Sequence, residues 1–512
     1  MSRPGFVLSV DAQTPPLVVF QGEKVLLERM PTGTNVLYPP EPLAGIRSLD
    51  AEIEKALNSP VDSEPLAALL KRGSRVTVVF EDLSQPVTSR TAPDVRQRVI
   101  EHVLERAAAA GVDDLELIAA TGLRRRLTAN DLQRLVGERV FASFYPDHLQ
   151  SHDAEDAANL VEVGRMPDGT PLEVNGRVVS SDLVISVRLA TAVGNEGAAS
   201  VATKLAGART SRALVSAQAT APGLDPFENL VNAVGGTAQV FTIDVTLTPE
   251  PTGPVTAFLS KREREWTLAE RALSAGLQAA TRVLPSRARL GLAQVAGVGF
   301  GVTSVVAGKP SSVHPITQSF LAQQQLGQVD QAADVAIFGI PNPGQVGTAL
   351  NPVTAATLAL GQVFHGPTAD PVVRRGGTAI IYHPLTPWFH PLYHPAYSDF
   401  FAEVLSQSTD PGVIAAEYEE KFAEDTWYRH LYQTSYAHHA LHPFHAWYSA
   451  APAIEHLGDV IFVGGDHAST RRMGFKAAST LADALEMASD SVGLDPSITY
   501  VHGAPVSLSE VS

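Results

Sequence analysis

The chain has 512 residues, enough for two or three domains around large cores, and carries a formal net charge of −16. With that acidic balance and no long Lys/Arg run it lacks the electrostatic footprint of a nucleic-acid binder, so no nucleic-acid partner is expected. It contains no cysteine, which excludes disulfides, thiolate metal sites, iron–sulfur ligation and a Cys nucleophile.

The first residues, MSRPGFVLSVDAQTPP, lack a long apolar core, so no secretory signal is expected and a cytoplasmic location is. RVTVVF, from Arg75, reads as a buried strand because β-branched residues dominate it. Pro93–Ala110 carries apolar residues at helical spacing, and Gly111 stands at a C-cap position. LELIAAT (Leu115–Thr121) is the next strand, and SDLVISVRLA another, entered from an NGR turn. Alternating strands and helices imply a parallel sheet covered by helices, with ligands bound beyond the carboxyl ends of the strands. EDLSQP and TGLRRR both follow strands directly.

VFTIDVTLTPEPTGPVTAFLS, from Val240, reads as a hairpin or a pair of edge strands turning at its Pro-Gly cluster. A charged stretch at Lys261–Glu265 suggests a domain boundary, and Leu268–Leu284 an amphipathic helix. Leu290–Gly308 is uncharged and nearly long enough to span a bilayer, but its Gly, Gln, Ser and Thr favour a buried or interfacial segment, so no stable membrane span is expected. A polar connector follows around Gln318–Gln331. A second α/β region begins at Ala333, with strands from Gly376 and Asp459, a helix at Ala478–Ala488 and a closing strand SITYVHG. The expected fold is α/β with two domains, each a largely parallel sheet flanked by helices, and a ligand cleft between them. The divisions are 1–262, a connecting helical and Gly-rich segment at 263–332 suited to a lid, and 333–512.

Several residues suit chemistry. Asp82, just past a strand, fits a ribose hydroxyl, a cation or a structural turn cap. Arg124–Arg126 after Gly122 fit an anion-contacting loop, the alternative being arginines paired with local carboxylates. Thr128 can cap the helix containing Asp131. Lys204 sits in the small, apolar run SVATKLAG; it is either a desolvated nucleophilic amine or the commoner snorkelling helix lysine. Ten of the 16 histidines lie between His383 and His467, among many aromatics. His438, His442 and His445 are spaced for one helix face, and His390 and His394 are four apart, although Pro391, Pro395 and Pro443 interrupt regular helix there. The choice is between an aromatic–histidine core and a source of metal or acid/base groups, for which His383, His390 and His394 stand best because they follow a strand end.

The collinear order of EDLSQPVTSR (Glu81–Arg90), AATGLRRRLTANDL (Ala119–Leu132), SHDAED, NGRVVSSDLVIS and GNEGAASVATKLAG (Gly194–Gly207) resembles the nickel-pincer-nucleotide lactate racemase family over roughly Arg75 to Lys204, with weaker similarity near the end at LADALEMASDSVG. The resemblance implies a pyridinium nucleotide tethered to Lys204 and contacted by Asp82, Thr121, Gly122 and Arg125, with Ser200 in register and His152 and Asp153 matching a His-Asp element. It also implies racemisation or epimerisation of a 2-hydroxy acid through hydride transfer to that nucleotide, with a small-molecule or nucleotide-like ligand as partner. The alternative is a non-catalytic homologue that binds a phosphorylated ligand or a partner protein.

The departures are specific. The family's carboxylate-holding arginine falls at Gln85 and its first acid/base histidine at Arg124, which leaves Gln85 and Arg124 as candidate substrate contacts. Its second histidine falls at Gly194, beside Asn195 and Glu196. Its nickel-binding histidine falls near Thr220, and no histidine occurs between His152 and His314. Its C-terminal substrate lysine has no counterpart at Asn351–Gly361. An arginine stays protonated and cannot act as a base, so Glu196, His383 and His390 become the candidate catalytic residues.

Overall fold

The computed structural model describes residues 6–38, 40, 43–82, 93–166, 168–191, 203–220, 236, 238–251, 257–285, 288–289, 298–342, 350–362, 371–503 and 508–511. The strands of its two large sheets are, in chain order, β1 (Phe6–Ser9), β2 (Asn35–Tyr38), β3 (Arg75–Glu81), β4 (Asp114–Ala120), β5 (Leu149–Ser151), β6 (Leu183–Ala190), β7 (Gln239–Pro251), β8 (Val298–Gly308), β9 (Ala333–Gly339), β10 (Val373–Tyr382), β11 (Asp459–Val463), β12 (Lys476–Ala478) and β13 (Ile498–Val501).

A six-stranded sheet runs in the order β8-β7-β6-β3-β4-β5 and a seven-stranded sheet in the order β1-β2-β13-β9-β10-β11-β12. Neighbours are parallel except for β7–β8 and β1–β2. We call the sheets and their helices the first and second lobes. Both are the helix-covered parallel sheets that the alternating elements predict.

The reason is visible in β3. Val76, Val78 and Phe80 face one apolar cluster, while Val79 faces another with Val174, Val178 and Ala206. A strand buried on both faces reads as a mainly apolar run rather than an alternating one. Helix α1 (Val95–Ala109) covers the first face with Val95, Val99, Ile100, Val103 and Ala107, a helical stripe. Each fully buried aliphatic side chain there contributes on the order of 1.5–3 kcal/mol.

Four expectations need correction. Gln239–Pro251 is not half of a hairpin or an edge strand. It is the internal strand β7, parallel to β6 and antiparallel to β8, with Phe241, Ile243, Val245 and Leu247 buried alongside Thr242, Asp244, Thr246 and Thr248. The expected NGR turn is a short helix, Gly176–Val179, capped by the Asn175 side chain. The last helix starts at Leu481, not Ala478, because Thr480 and Asp483 form a capping box and Lys476–Ala478 pairs as β12. Pro395 and Pro443 begin helices rather than interrupting them, since a first-turn proline sacrifices no hydrogen bond. His438 consequently precedes the helix that begins at His442.

Sheet membership does not follow the divisions at 262 and 332. β1 and β2 lie in the second lobe's sheet, and β8 forms an edge of the first lobe's. Within 263–332, helix Leu268–Val283 packs on strand Lys24–Glu28, and helix Pro310–Gln325 packs on β7. Among the described residues, no helix is long and apolar enough to cross a membrane.

The strand order of the first lobe reverses between β3 and β6. From β3 the chain builds outward through β4 to β5; from β6 it builds the other way through β7 to β8. Such a switch point opens a crevice at the carboxyl ends of the two strands.

Candidate active site at the switch point

Glu81 and Asp82 end β3 at this position, and both are buried. Glu81 accepts the Leu189 N–H from β6 at 2.8 Å and pairs with the Lys204 ammonium at 3.0 Å. Burial pushes its carboxyl up, but the Lys204 and Arg188 charges and the Leu189 amide overcome this and hold it below the usual range. Arg96, 1% exposed in the first turn of α1, donates to the Glu81 and Asp82 carbonyls and is itself paired with Asp94 at 2.9 Å. The ion network continues inward from Arg188 to Asp244 at 3.3 Å, and Asp244 also accepts from Thr317 at 3.0 Å.

Lys204 is 7% exposed, so it is not a snorkelling surface lysine. Its backbone is fixed by the motif expected to touch a cofactor. Gly122 donates its N–H to the Lys204 carbonyl at 2.9 Å. Its φ of +56° favours glycine, and a Cβ there would lie 3.4 Å from the Lys204 Cα. His152 is buried, bonding the Ala206 carbonyl through Nε2 at 3.0 Å and Asn175 through Nδ1 at 3.3 Å. Burial lowers its pKa to about 4, so it is a neutral structural imidazole at neutral pH. Thr121 donates to the His152 carbonyl at 3.0 Å. Thr121, Gly122 and His152 thus set the turn that carries Lys204.

The three consecutive arginines diverge. Arg124, about a third exposed, reaches Asp82 at 3.8 Å. Arg125 is buried, pairs with Asp131 at 2.9 Å and lies over the Tyr393 ring at 4.7 Å. Its charge is engaged in a helix start and a ring, which argues against the expected cofactor contact. Arg126 pairs with Asp153 at 3.4 Å and donates to the Gln433 carbonyl at 2.9 Å. Of the three, Arg124 is the one whose guanidinium lies towards the end of β3, beside Asp82.

The second lobe meets this loop directly. Tyr432 inserts between Leu123, Ala154, Ala208 and Leu441. Its hydroxyl donates to the Gly122 carbonyl at 3.2 Å and accepts the Ala154 N–H at 3.0 Å. His439 donates its N–H to the Leu123 carbonyl at 3.0 Å and places Nε2 2.7 Å from Glu155. Behind it stands a chain of rings. The His394 and His438 centroids are 5.5 Å apart, those of His438 and His442 4.6 Å, and the Tyr397 hydroxyl lies 2.6 Å from His442 Nδ1.

The expected catalytic residues fare unequally. His383 is buried with Nε2 3.0 Å from Asn342 Oδ1 and Nδ1 accepting the Leu385 N–H at 3.1 Å. Burial lowers it to about 3, so it is a core histidine and not an available acid or base. His390 accepts the Leu392 and Tyr393 N–H groups through Nδ1 and stacks on Tyr393 at 4.0 Å; burial and then Arg125 lower its pKa. Gln85, Gly194, Asn195, Glu196 and Ser200 lie outside the described residues. Among the described residues, no three His, Cys, Asp or Glu side chains are grouped to hold a metal ion. Sequence reasoning missed Glu81, Arg96, Tyr432 and the Tyr397–His442 contact. Glu81 opens the EDLSQP motif, but as the last residue of a strand it carries no signal of its partner in the sequence.

Residues 22–193 match the lactate racemase N-terminal domain family. Lactate racemase from Thermoanaerobacterium thermosaccharolyticum is 23% identical over 134 residues, 26% of this chain and 29% of that protein. The Lactiplantibacillus plantarum lactate racemase is 25% identical over 134 residues, 26% of this chain and 30% of that one. The aligned region thus spans under a third of these relatives. The structure of the T. thermosaccharolyticum lactate racemase apoprotein superposes with a TM-score of 0.65 at 16% identity, covering 96% of this chain and 99% of that one. A Thermotoga maritima protein gives 0.50 at 14%, covering 93% and 100%. At these identities the structural likeness establishes the fold. The chain is thus similar to lactate racemase in its N-terminal region and in its fold.

Proposed function

We propose that this divergent lactate-racemase-like chain is an isomerase that racemises or epimerises a small 2-hydroxy acid, with a pyridinium-type nucleotide held at Lys204. The observation that carries this reading is the buried Lys204–Glu81 pair at the switch point, with its backbone locked by Gly122. A lysine there is withdrawn from water and rigidly presented on Glu81, the residue before Asp82. These surroundings suit a tethered nucleotide, with Asp82 available to a ribose hydroxyl and Glu81 to a cationic ring. Such a ring, when bound, accepts and returns hydride.

The metal of the pincer group fits less well. By the resemblance its imidazole falls near Thr220, and no three-ligand group stands among the described residues. No step here depends on a metal.

The chain's own residues divide the remaining work. Arg124 stays protonated and partly exposed, which suits a substrate carboxylate rather than a base. Racemisation needs proton acceptors on two faces of the substrate. Glu196 is the proposed acceptor from the first lobe, and the neutral imidazoles of the second lobe supply the other. His383 is dropped from this role because both ring nitrogens are engaged.

The test is intact-mass analysis of protein made in a host that synthesises the nucleotide, with chiral chromatography of 2-hydroxy acids incubated with it. The expected result is an adduct absent from Lys204→Ala, and conversion of one enantiomer to the other. An unmodified chain that leaves the enantiomer ratio unchanged overturns the reading.

A further inference from the structure

Arg124 and the Tyr397–His442 pair come from opposite lobes and meet at one junction. Both neighbours of Arg124 are pinned to the histidine-rich segments: the Leu123 carbonyl to the His439 N–H at 3.0 Å, and Arg125 to the Tyr393 ring at 4.7 Å. The Tyr397 hydroxyl lies 2.6 Å from His442 Nδ1, and His442 is partly exposed. Beside them His438, 8% exposed, has a buried Nδ1 with no hydrogen-bond partner. Its ring stands 4.6 Å from His442 and 5.9 Å from Tyr397. Buried polar nitrogens are nearly always bonded, so an unpaired one marks a place where a ligand or water completes the site.

We propose that Arg124 and the Tyr397–His442 pair together bind a small 2-hydroxycarboxylate, its carboxylate on the guanidinium and its hydroxyl on the tyrosine–imidazole pair. This names substrate contacts for the isomerase reading above and rests on it. A guanidinium offers a planar fork to a carboxylate. In a 2-hydroxy acid the hydroxyl is on the adjacent carbon, so its partner must lie close to the cation, and the pinned neighbours of Arg124 bring the two lobes together there.

Binding is coupled to a proton. Burial, then the Arg124 charge, holds the His442 imidazole well below its ordinary value. In the free protein the depressed imidazole is neutral, with Nδ1 sharing a hydrogen bond with the Tyr397 hydroxyl. The groups facing the pair are Arg124 from the first lobe, and Thr354, His394, His438, His439 and His445 from the second, with Arg125 acting on His438. A carboxylate on Arg124 cancels the largest of the opposing charges on His442. The imidazole then becomes more basic and takes up a proton from solvent, with no bond to carbon made or broken.

The experiment is titration calorimetry of the unmodified full-length chain with D- and L-lactate, in buffers of different ionisation enthalpy, between about pH 5 and 7.5, where imidazoles titrate. The expected result is proton uptake on binding that grows as pH falls, is lost in His442→Gln, is reduced in Tyr397→Phe, and is unchanged in the exposed-site control His430→Gln. Arg124→Gln is expected to weaken binding roughly 10- to 100-fold, with Arg124→Lys in between, as for a charged hydrogen bond lost. Failure of folded protein to bind lactate, uptake that survives His442→Gln, or binding indifferent to Arg124 overturns the proposal. Binding that behaves as expected leaves this site standing, while absence of an adduct from protein made in the nucleotide-synthesising host removes the nucleotide reading alone; an adduct with Arg124-independent binding overturns this site and leaves that reading.

Discussion

The two lobes solve the problem of buried polarity in opposite ways. At the switch point of the first lobe, full charges are buried and matched: Lys204 with Glu81, Arg96 with Asp94, Arg188 with Asp244. In the second lobe, imidazoles are buried and kept neutral, with His383 lowered to about 3, His394 to about 4 and His445 to about 3, in each case chiefly by desolvation. A matched charge is rigid and resists titration. A neutral imidazole can gain a proton and is therefore the part of the junction able to exchange one.

The largest test of this contrast is acid. Each depressed histidine is neutral when folded and protonates more readily when unfolded. The unfolded chain binds more protons between the ordinary value of 6.5 and the folded values near 4 and 3. Stability is thus complete above about pH 6.5 and falls through that window, by up to roughly 1.4 kcal/mol per pH unit for each histidine. Glu81, also held below its ordinary value, acts in the same direction but in a lower window: its stabilisation is present above 4.5 and is lost as pH falls below it. Hydrogen exchange across this range should show the histidine-rich segments opening before the β3 end. Simultaneous loss of both would erase the distinction.

Next in size is the matched pair itself. Glu81→Ala leaves Lys204 buried beside Arg188, and about 3–5 kcal/mol of stability should be lost in urea denaturation. The double variant Glu81→Gln with Lys204→Met should recover much of it; if it is no more stable than Glu81→Ala, the pair is not a unit. Tyr432→Phe removes one donor and one acceptor at the lobe junction and is expected to cost about 1–3 kcal/mol. The smallest expected effect is Gly122→Ala, about 1–2 kcal/mol for a side chain at positive φ. It should also shift the Lys204 backbone resonances, and a spectrum unchanged at Lys204 would contradict the close approach.

The sequence made the strands legible where both faces are buried, because β3, β4 and β6 are then rich in apolar and β-branched residues. It hid β8, whose partner β7 lies about fifty residues earlier in the chain, and the placement of β1 and β2 in the second lobe, since pairing over such distances leaves no local pattern. In the site, Asp82, Gly122 and Lys204 stood out by type and position. Their partners did not: Glu81 and Lys204 are 123 residues apart. The Arg124–Arg126 triplet reads as one basic spot, yet Asp82, Asp131 and Asp153 draw its members apart. His383 attracted attention for following a strand, but its burial makes it core, while His442 gains interest only from Tyr397 and the loop opposite.

Tyr432 has a mechanical consequence. Its hydroxyl holds the carbonyl of Gly122, and the amide of the same glycine holds the carbonyl of Lys204. A residue with no side chain is therefore a rigid link between the second lobe and the buried lysine. If one lobe rocks against the other, either the Tyr432 bond breaks or the glycine is dragged along and the lysine with it. Lobe position and lysine position are geared together.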